Sequence, residues 1–372
     1  MLHMWLKIKG HLDVPVGPNK WLALFACAGF ILLSSMFLLV YSYDTYSYYR
    51  IKDNRLKINA SEYLNPGIAK HAQYDAVLIG SSVVQNFDMD LVNSVLGSKT
   101  IKLTVRGMTD DQRADVLSLV NRERKPKKII YGFDLFSFDP SNAQNEASFP
   151  RYLYNESWFD DFRYIYGYEN WFRFMPASIL YEIGSEFGAI PKGLSVSVDC
   201  VGQWDAEYSK AVVQERYAAH SSDKAQALSP GLRRGGLRRG MLTRVESLID
   251  ELDICSEWGE VIVIFPPYSS LYWHELKLLG KYDVYVDIKR LACARMIQNP
   301  NIRVLDFQGI EQTTDLDHYM DSKHYDDLIY SLMTKELNQG AYRIKTEEDV
   351  DRVAGDVGVL LEAFQHENQE WL

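Results

Sequence analysis

The sequence predicts an α/β fold: a doubly wound, mostly parallel sheet with a helical insertion and an N-terminal transmembrane helix. Three observations carry this. Short β-branched runs alternate with stretches of helical period between about residues 71 and 340. An aromatic-rich segment at about 141–240 interrupts that alternation, and an apolar stretch without charge precedes it at 21–41. Strand and helix in succession is the pattern of a parallel sheet covered on both faces.

The elements follow in order. "WLALFACAGFILLSSMFLLVY", residues 21–41, contains no charged residue. At 1.5 Å per residue it reaches about 31 Å, the thickness of a bilayer core. Trp21 stands at one end, and Tyr41, Tyr43, Tyr46, Tyr48 and Tyr49 crowd the other, as an interfacial aromatic belt does. A cleaved signal peptide has a shorter apolar region followed by a small-x-small site. The stretch therefore reads as an uncleaved anchor for a single-pass protein of the cell membrane. Lys7, Lys9 and Lys20 before it nearly balance Arg50, Lys52 and Arg55 after it. The expected orientation keeps the tail, residues 1–20, inside and the globular domain on the extracytoplasmic side.

Residues 42–70, polar and aromatic with no long apolar face, read as a stalk. The core then opens with "YDAVLIG", a buried strand bounded by Gly80, and continues with "KTIKLTVRG", a second strand ending at Gly107. Ala114, Val116, Leu117 and Val120 give the next stretch a helical face. "KKIIYGFDLFSF", "GEVIVIFPPYS" and "NIRVLDFQG" supply the third, fourth and fifth strands. The insertion reads as a mostly helical cap whose aromatics either pack a small core of their own or line a sugar-binding surface. Within it, the tandem repeat "GLRRGGLRRG", residues 231–240, predicts a mobile, solvated loop, with four arginines able to hold an anion. Residues 341–372 read as a charged, helical C-terminal tail.

Composition bounds the function. With 372 residues, 47% hydrophobic and 24% charged, the chain can bury one large core or two modest ones. A net charge of -10 gives no electrostatic basis for binding nucleic acid. Cys27, Cys200, Cys255 and Cys293 are scattered without a CxxC, which argues against zinc on cysteine. Asp315, Asp317, His318, Asp321, His324 and Asp326 are metal-ligand types, but they read as a solvated acidic loop. No metal and no cofactor is expected.

The candidate chemistry sits at Gly80-Ser81-Ser82. Ligands of doubly wound sheets bind at the carboxyl ends of strands. A glycine there permits a tight turn, and a serine opening the next helix exposes its hydroxyl beside an unsatisfied backbone N–H. Such a serine is also an ordinary N-cap. As a nucleophile it needs a base, and the base needs an orienting group. Asp321-Ser322-Lys323-His324 supplies both, because a three-residue spacing in a turn brings carboxylate and imidazole to one side.

These residues together resemble the SGNH (GDSL-like) hydrolase superfamily, and within it the membrane-anchored cell-envelope branch that modifies acyl groups on surface polymers. The resemblance covers the core, without the anchor, the cap or the tail. It implies that Gly80, Ser81 and Ser82 correspond to the family's Gly-Asp-Ser, with Ser82 the nucleophile. Gly107 in "TVRGMT" corresponds to the second-block oxyanion donor, and Asp321 and His324 to the D-x-x-H block. Two departures stand out. Ser81 replaces aspartate, and "IIYGFDLFSF" lacks the third block's Gly-x-Asn-Asp. Asp134 stands near the missing asparagine, where an ionised carboxylate would repel an oxyanion. One lost donor is worth roughly 3 kcal/mol of transition-state stabilisation, and Asn86 is the candidate substitute in the oxyanion hole. Tyr268 and Trp273, after the fourth strand, are candidates for stacking on a sugar ring.

The resemblance implies a membrane-tethered serine esterase or O-acyltransferase acting on a cell-envelope polysaccharide, with a membrane-bound acyl-transfer or export protein as partner. The alternative is a non-catalytic scaffold of a polysaccharide assembly or export machine, motivated by the missing asparagine.

Overall fold

The computed structural model describes residues 17–51, 55–56, 60–141, 149–157, 159–187, 195–196, 206–226 and 234–372. Helix α1 (Pro18–Tyr43) is long and apolar enough to cross a membrane, and nearly all of it is exposed. That exposure distinguishes it from a core helix of equal length, which would be covered by the rest of the chain. Pro18, at the start of the helix, has the fixed φ that suits a first turn.

The segment after α1 is no free stalk. Asp44, in the left-handed conformation, ends the helix. Its buried carboxylate accepts from the N–H groups of Tyr48, Tyr49 and Arg50 and from the Tyr164 hydroxyl. Tyr46 packs among Tyr63, Tyr164 and Phe174. Helix α2 (Ser61–His71) then lies against the sheet, and the Asn65 amide donates to the Thr104 carbonyl. The expected stalk at 42–70 is corrected in this respect: its tyrosines bury rings on one another, and in doing so tie α1 to the body.

The sheet contains β1 (Ala76–Gly80), β2 (Thr100–Thr104), β3 (Lys128–Gly132), β4 (Glu260–Phe265), β5 (Ile302–Asp306) and β6 (Arg343–Ile344). Its order is β2-β1-β3-β4-β5-β6, with five parallel strands and β6 antiparallel at the edge. Helices α3 (Met89–Leu96) and α4 (Asp110–Glu123) make the first two crossovers. Every residue of β1 is buried, which is why the sequence there shows a continuous apolar run rather than alternation. From β1 the chain crosses to β2 on one side and then to β3 on the other. The point of reversal, where such sheets bind ligands, lies at the ends of β1 and β3.

After β3 come α5 (Phe162–Tyr166), a π-helical turn (Glu169–Phe174), α6 (Met175–Glu186), α7 (Lys210–Gln226) and α8 (Arg234–Ser256). A two-residue strand at Arg55–Leu56 pairs with Ser195–Val196. Helix α8 corrects the expectation of a loop in the arginine repeat, whose residues 231–233 lie outside the described ones. Leu237, Met241, Val245, Leu248 and Leu252 recur at helical spacing and are buried, and this apolar face overrides the glycines. Helices α9 (Ser270–Leu278), α10 (Tyr282–Met296), α11 (Asp327–Gln339) and α12 (Glu347–Glu367) complete the fold. The C-terminal stretch is part of the body: β6 extends the sheet and α12 packs on α9 and α10 through Val350, Val353, Val357, Leu361 and Phe364.

Candidate functional site

Gly80 ends β1, and the chain turns at once into a 3-10 turn, Ser82–Val84. The turn folds Val84 back over the sheet. A Cβ on Gly80 would lie 2.5 Å from Val84 Cγ2, and one on Gly132 would lie 2.6 Å from Val84 Cγ1. The two glycines therefore make the room that seats the turn. Ser81 caps it: Val84 N–H donates to the Ser81 carbonyl, and the buried Ser81 hydroxyl donates to Asp134 Oδ2 at 2.7 Å. Ser82, half-buried, begins the turn with its hydroxyl toward the loop that precedes α11.

That loop is a narrow hairpin. Tyr319 and Tyr325 bridge across it, and Met320 N–H donates to the His324 carbonyl at 3.0 Å. At its tip Asp321 Oδ1 accepts from the N–H groups of Lys323 (2.8 Å) and His324 (2.9 Å). Asp321 Oδ2 lies 2.7 Å from His324 Nδ1, and His324 Nε2 lies 2.8 Å from Ser82 Oγ. Three residues from the two ends of the core thus form one hydrogen-bonded chain. Burial alone would raise the Asp321 carboxyl. The His324 imidazole and the two backbone donors outweigh it and hold the carboxyl well below the usual carboxylate range. A carboxylate on Nδ1 fixes the tautomer in which Nε2 accepts, the arrangement a general base requires.

The surroundings hold both halves of this chain in place. The Tyr325 and Tyr330 hydroxyls both donate to the Val83 carbonyl, which pins the Ser82 turn to the hairpin and to α11. The buried Lys102 ammonium donates to the carbonyls of Gln85 (2.6 Å) and Phe87 (3.0 Å), just beyond the turn. On the hairpin side, Ser269 donates to the Ser322 carbonyl and Ser322 donates to Glu275 Oε2. The Lys323 ammonium lies 3.8 Å from the centre of the Phe136 ring, in the turn after β3. A cleft of about 310 Å³, lined by Val213, Arg216, Tyr217, Leu271, Glu275 and Ser322, has Asp321 on its wall.

The remaining candidates fall differently. Gly107, half-buried, has a φ of 58°, a conformation that favours glycine, and follows Val105, whose N–H donates to the Gly80 carbonyl. It therefore stands beyond the end of β2, next to the end of β1 that carries Ser82. Asn86 is buried in the loop that Lys102 clamps. Tyr268 and Trp273 are corrected as sugar-stacking residues. Both rings are buried, at 0% and 2% exposure, and neither offers a face to a ligand. The Tyr268 hydroxyl instead donates to Asp134 Oδ1. Burial, and then the Asp134 charge, push that hydroxyl's pKa well above its ordinary value.

Asp134 is the residue whose place the sequence left unexplained. It is buried, and Ser81, Tyr268 and the Phe136 N–H all donate to it. Its carboxylate is engaged in joining the ends of β1 and β3 to the loop after β4. The acidic residues near His324 also have local roles. Asp326 caps α11 and meets His318 Nδ1, and Asp317 accepts from the Lys210 N–H at the start of α7. Among the described residues no group of three or more histidines, cysteines and carboxylates is arranged to hold a metal ion.

No family model matches the sequence, and no curated protein matches it. Among solved structures, the chain is similar to one described as "a putative platelet activating factor from Streptococcus pneumonia", at 8% identity and a TM-score of 0.37. The similarity covers 75% of this chain and 90% of that one, and is too slight to assign a family.

Proposed function

We propose that this protein is a membrane-tethered serine esterase or O-acyltransferase of the SGNH type, acting on acyl groups of a cell-envelope polysaccharide from the extracytoplasmic side. The observation that carries the reading is the chain from Ser82 Oγ through His324 to Asp321, with contacts of 2.8 and 2.7 Å. In this reading His324 Nε2 takes the Ser82 proton as Oγ bonds to the acyl carbonyl carbon, and the carbonyl electron pair moves onto oxygen. Backbone N–H groups of Ser82 and Gly107 face that oxyanion. The tetrahedral intermediate collapses, the leaving alkoxide takes the proton from His324, and an ester on Ser82 remains. Water or a sugar hydroxyl, deprotonated by His324, then attacks the ester; the acyl carbon–Ser82 Oγ bond breaks, Oγ takes the proton back from His324, and the acid (hydrolysis) or the new ester (transfer) leaves. Asp321 orients the imidazole and stabilises its protonated form throughout.

The test is a fluorophosphonate probe on the full chain in detergent. Labelling that disappears in Ser82→Ala supports the enzyme. Absence of labelling between pH 6 and pH 9 refutes it and favours the scaffold reading. One observation speaks for that second reading: the third-block position carries Asp134, whose oxygens are engaged by Ser81 and Tyr268, so the side chain there donates nothing to an oxyanion.

A further inference from the structure

The insertion after β3 turns its apolar residues outward. Along the continuous π- and α-helical stretch from Glu169 to Glu186, Tyr168, Phe172, Pro176, Leu180, Ile183 and Phe187 recur at steps of three or four, and all six are exposed. Phe172 is 72% exposed, Leu180 70% and Phe187 82%. Met175 and Ser178, on the other side, are buried. No charged residue occurs between Phe174 and Tyr181. A helix of a water-soluble body hides its apolar stripe. This one displays it, and a contiguous apolar face of this kind marks a binding surface.

What covers the stripe follows from its neighbour. Helices α5 and α6 pack against α1, and the Tyr166 hydroxyl donates to the Leu33 carbonyl at 3.1 Å. Leu33 lies about 15 Å of helix rise before Tyr43, the last residue of α1. That is about half the thickness of a bilayer core. If α1 crosses the bilayer, the insertion touches it within the hydrocarbon layer, and the exposed stripe continues the lipid-facing surface of α1. Several polar groups of the insertion find partners within it or in the segment after α1. Trp171 Nε1 donates to the Ile165 carbonyl, Asp161 accepts from the Tyr48 hydroxyl, and Glu169 pairs with Arg173.

We propose that the segment from Phe159 to Phe187 is a second membrane contact, a helical element that lies in one leaflet beside α1 with the stripe from Tyr168 to Phe187 in lipid. With the body already tied to α1, a second lipid contact fixes the tilt of both together against the membrane plane. The proposal rests on the reading of α1 as a span, and its test separates the two.

The full chain is placed at one copy per disc in phosphatidylethanolamine–phosphatidylglycerol nanodiscs. Single nitroxides are introduced at Phe30 in α1, at Phe172, Leu180 and Phe187, and at Val359, an exposed site on α12. Collision with oxygen reports lipid, and collision with a water-soluble nickel chelate reports water. The expected result is an oxygen-favoured depth parameter at Phe172, Leu180 and Phe187, of the same sign as at Phe30 and opposite to Val359. A nickel-favoured value at the three sites with Phe30 still in lipid overturns the proposal and leaves the anchor standing. Protection from both reagents also overturns it, because protein then covers the stripe. A nickel-favoured value at Phe30 overturns the span itself and the proposal with it.

Discussion

Gly80→Ala tests whether the paired glycines exist to seat the Ser82 turn. Its new Cβ would stand 2.5 Å from Val84 Cγ2, with the Gly132 Cα at 3.3 Å and N at 3.4 Å behind it. Carbon atoms prefer about 3.5–4.0 Å, so the overlap with Val84 is about 1 Å, and β3 backbone bars retreat. Val84 is fully buried and cannot swing outward. Overpacking of this kind costs about 1–3 kcal/mol. Val84→Ala alone leaves a cavity, at about 2 kcal/mol for two methyl groups. In the double variant the alanine at position 80 meets no valine methyls, so the costs should fall short of additivity by about 1–2 kcal/mol. Urea unfolding of the full chain in detergent, followed by near-ultraviolet circular dichroism, measures all three. Fluorophosphonate labelling should slow in Gly80→Ala and recover in part in the double variant, because Ser82 and Val84 share one turn. A cost for Gly80→Ala below about 0.5 kcal/mol, or additivity within about 0.5 kcal/mol, refutes the reasoning.

Asp321→Asn keeps the shape of the hairpin but presents the wrong partner to Nδ1, and should lower kcat on an acyl ester by about 10⁴-fold with little change in KM; steady-state kinetics check the split. Tyr325→Phe and Tyr330→Phe each remove one donor from the Val83 carbonyl and should cost about 1 kcal/mol singly. Together they strand a buried acceptor, so the pair should exceed the sum by about 1 kcal/mol, read from unfolding midpoints. The lowered Asp321 pKa sets a pH dependence. The stabilisation it brings is present above the unfolded-state value of about 3.9 and is lost as pH falls toward the folded value. The stability difference between the native chain and Asp321→Asn should therefore shrink below about pH 4, and a difference that grows on acidification would count against the pairing.

Local features of the sequence were legible where they obey short-range rules. The five parallel strands follow from β-branched runs, and the D-x-x-H spacing puts carboxylate and imidazole on one side because Asp321 also accepts the His324 N–H in its own turn. What escaped depends on contacts remote in sequence. Nothing near Tyr268 announces a hydroxyl bound to Asp134, 134 positions away; an aromatic after a strand reads equally as a ligand platform or as core. The folded segment after α1 is hidden for the same reason, since Asp44 and Tyr164, which fold it, are 120 residues apart. In the arginine repeat the glycines point to a loop, while Leu237 and Met241 carry the helical spacing that prevails. Tyr325 and Tyr330 did leave a signal, as two aromatics beside and just beyond His324 in "HYDDLIY".

Asp134 and Ser81 explain each other. An aspartate at the third block, facing an oxyanion, would oppose the chemistry. Here it accepts from the Ser81 hydroxyl. The two side chains are thus a matched pair: a hydroxyl at position 81 supplies the donor that a carboxylate at position 134 requires, and Tyr268 supplies another. A change at either place alone should disturb the pair for a physical reason. Ser81→Asp would set two carboxylates against each other in a buried space, and Asp134→Asn would weaken the link to Ser81 that caps the Ser82 turn. In the proposed mechanism the hole then relies on backbone donors at Ser82 and Gly107. Loss of the side-chain donor costs roughly 3 kcal/mol, or a rate lower by about two orders of magnitude. A slow enzyme held beside a polymeric substrate at the membrane surface tolerates that loss better than one that must find its substrate by diffusion, because tethering raises the effective concentration of substrate.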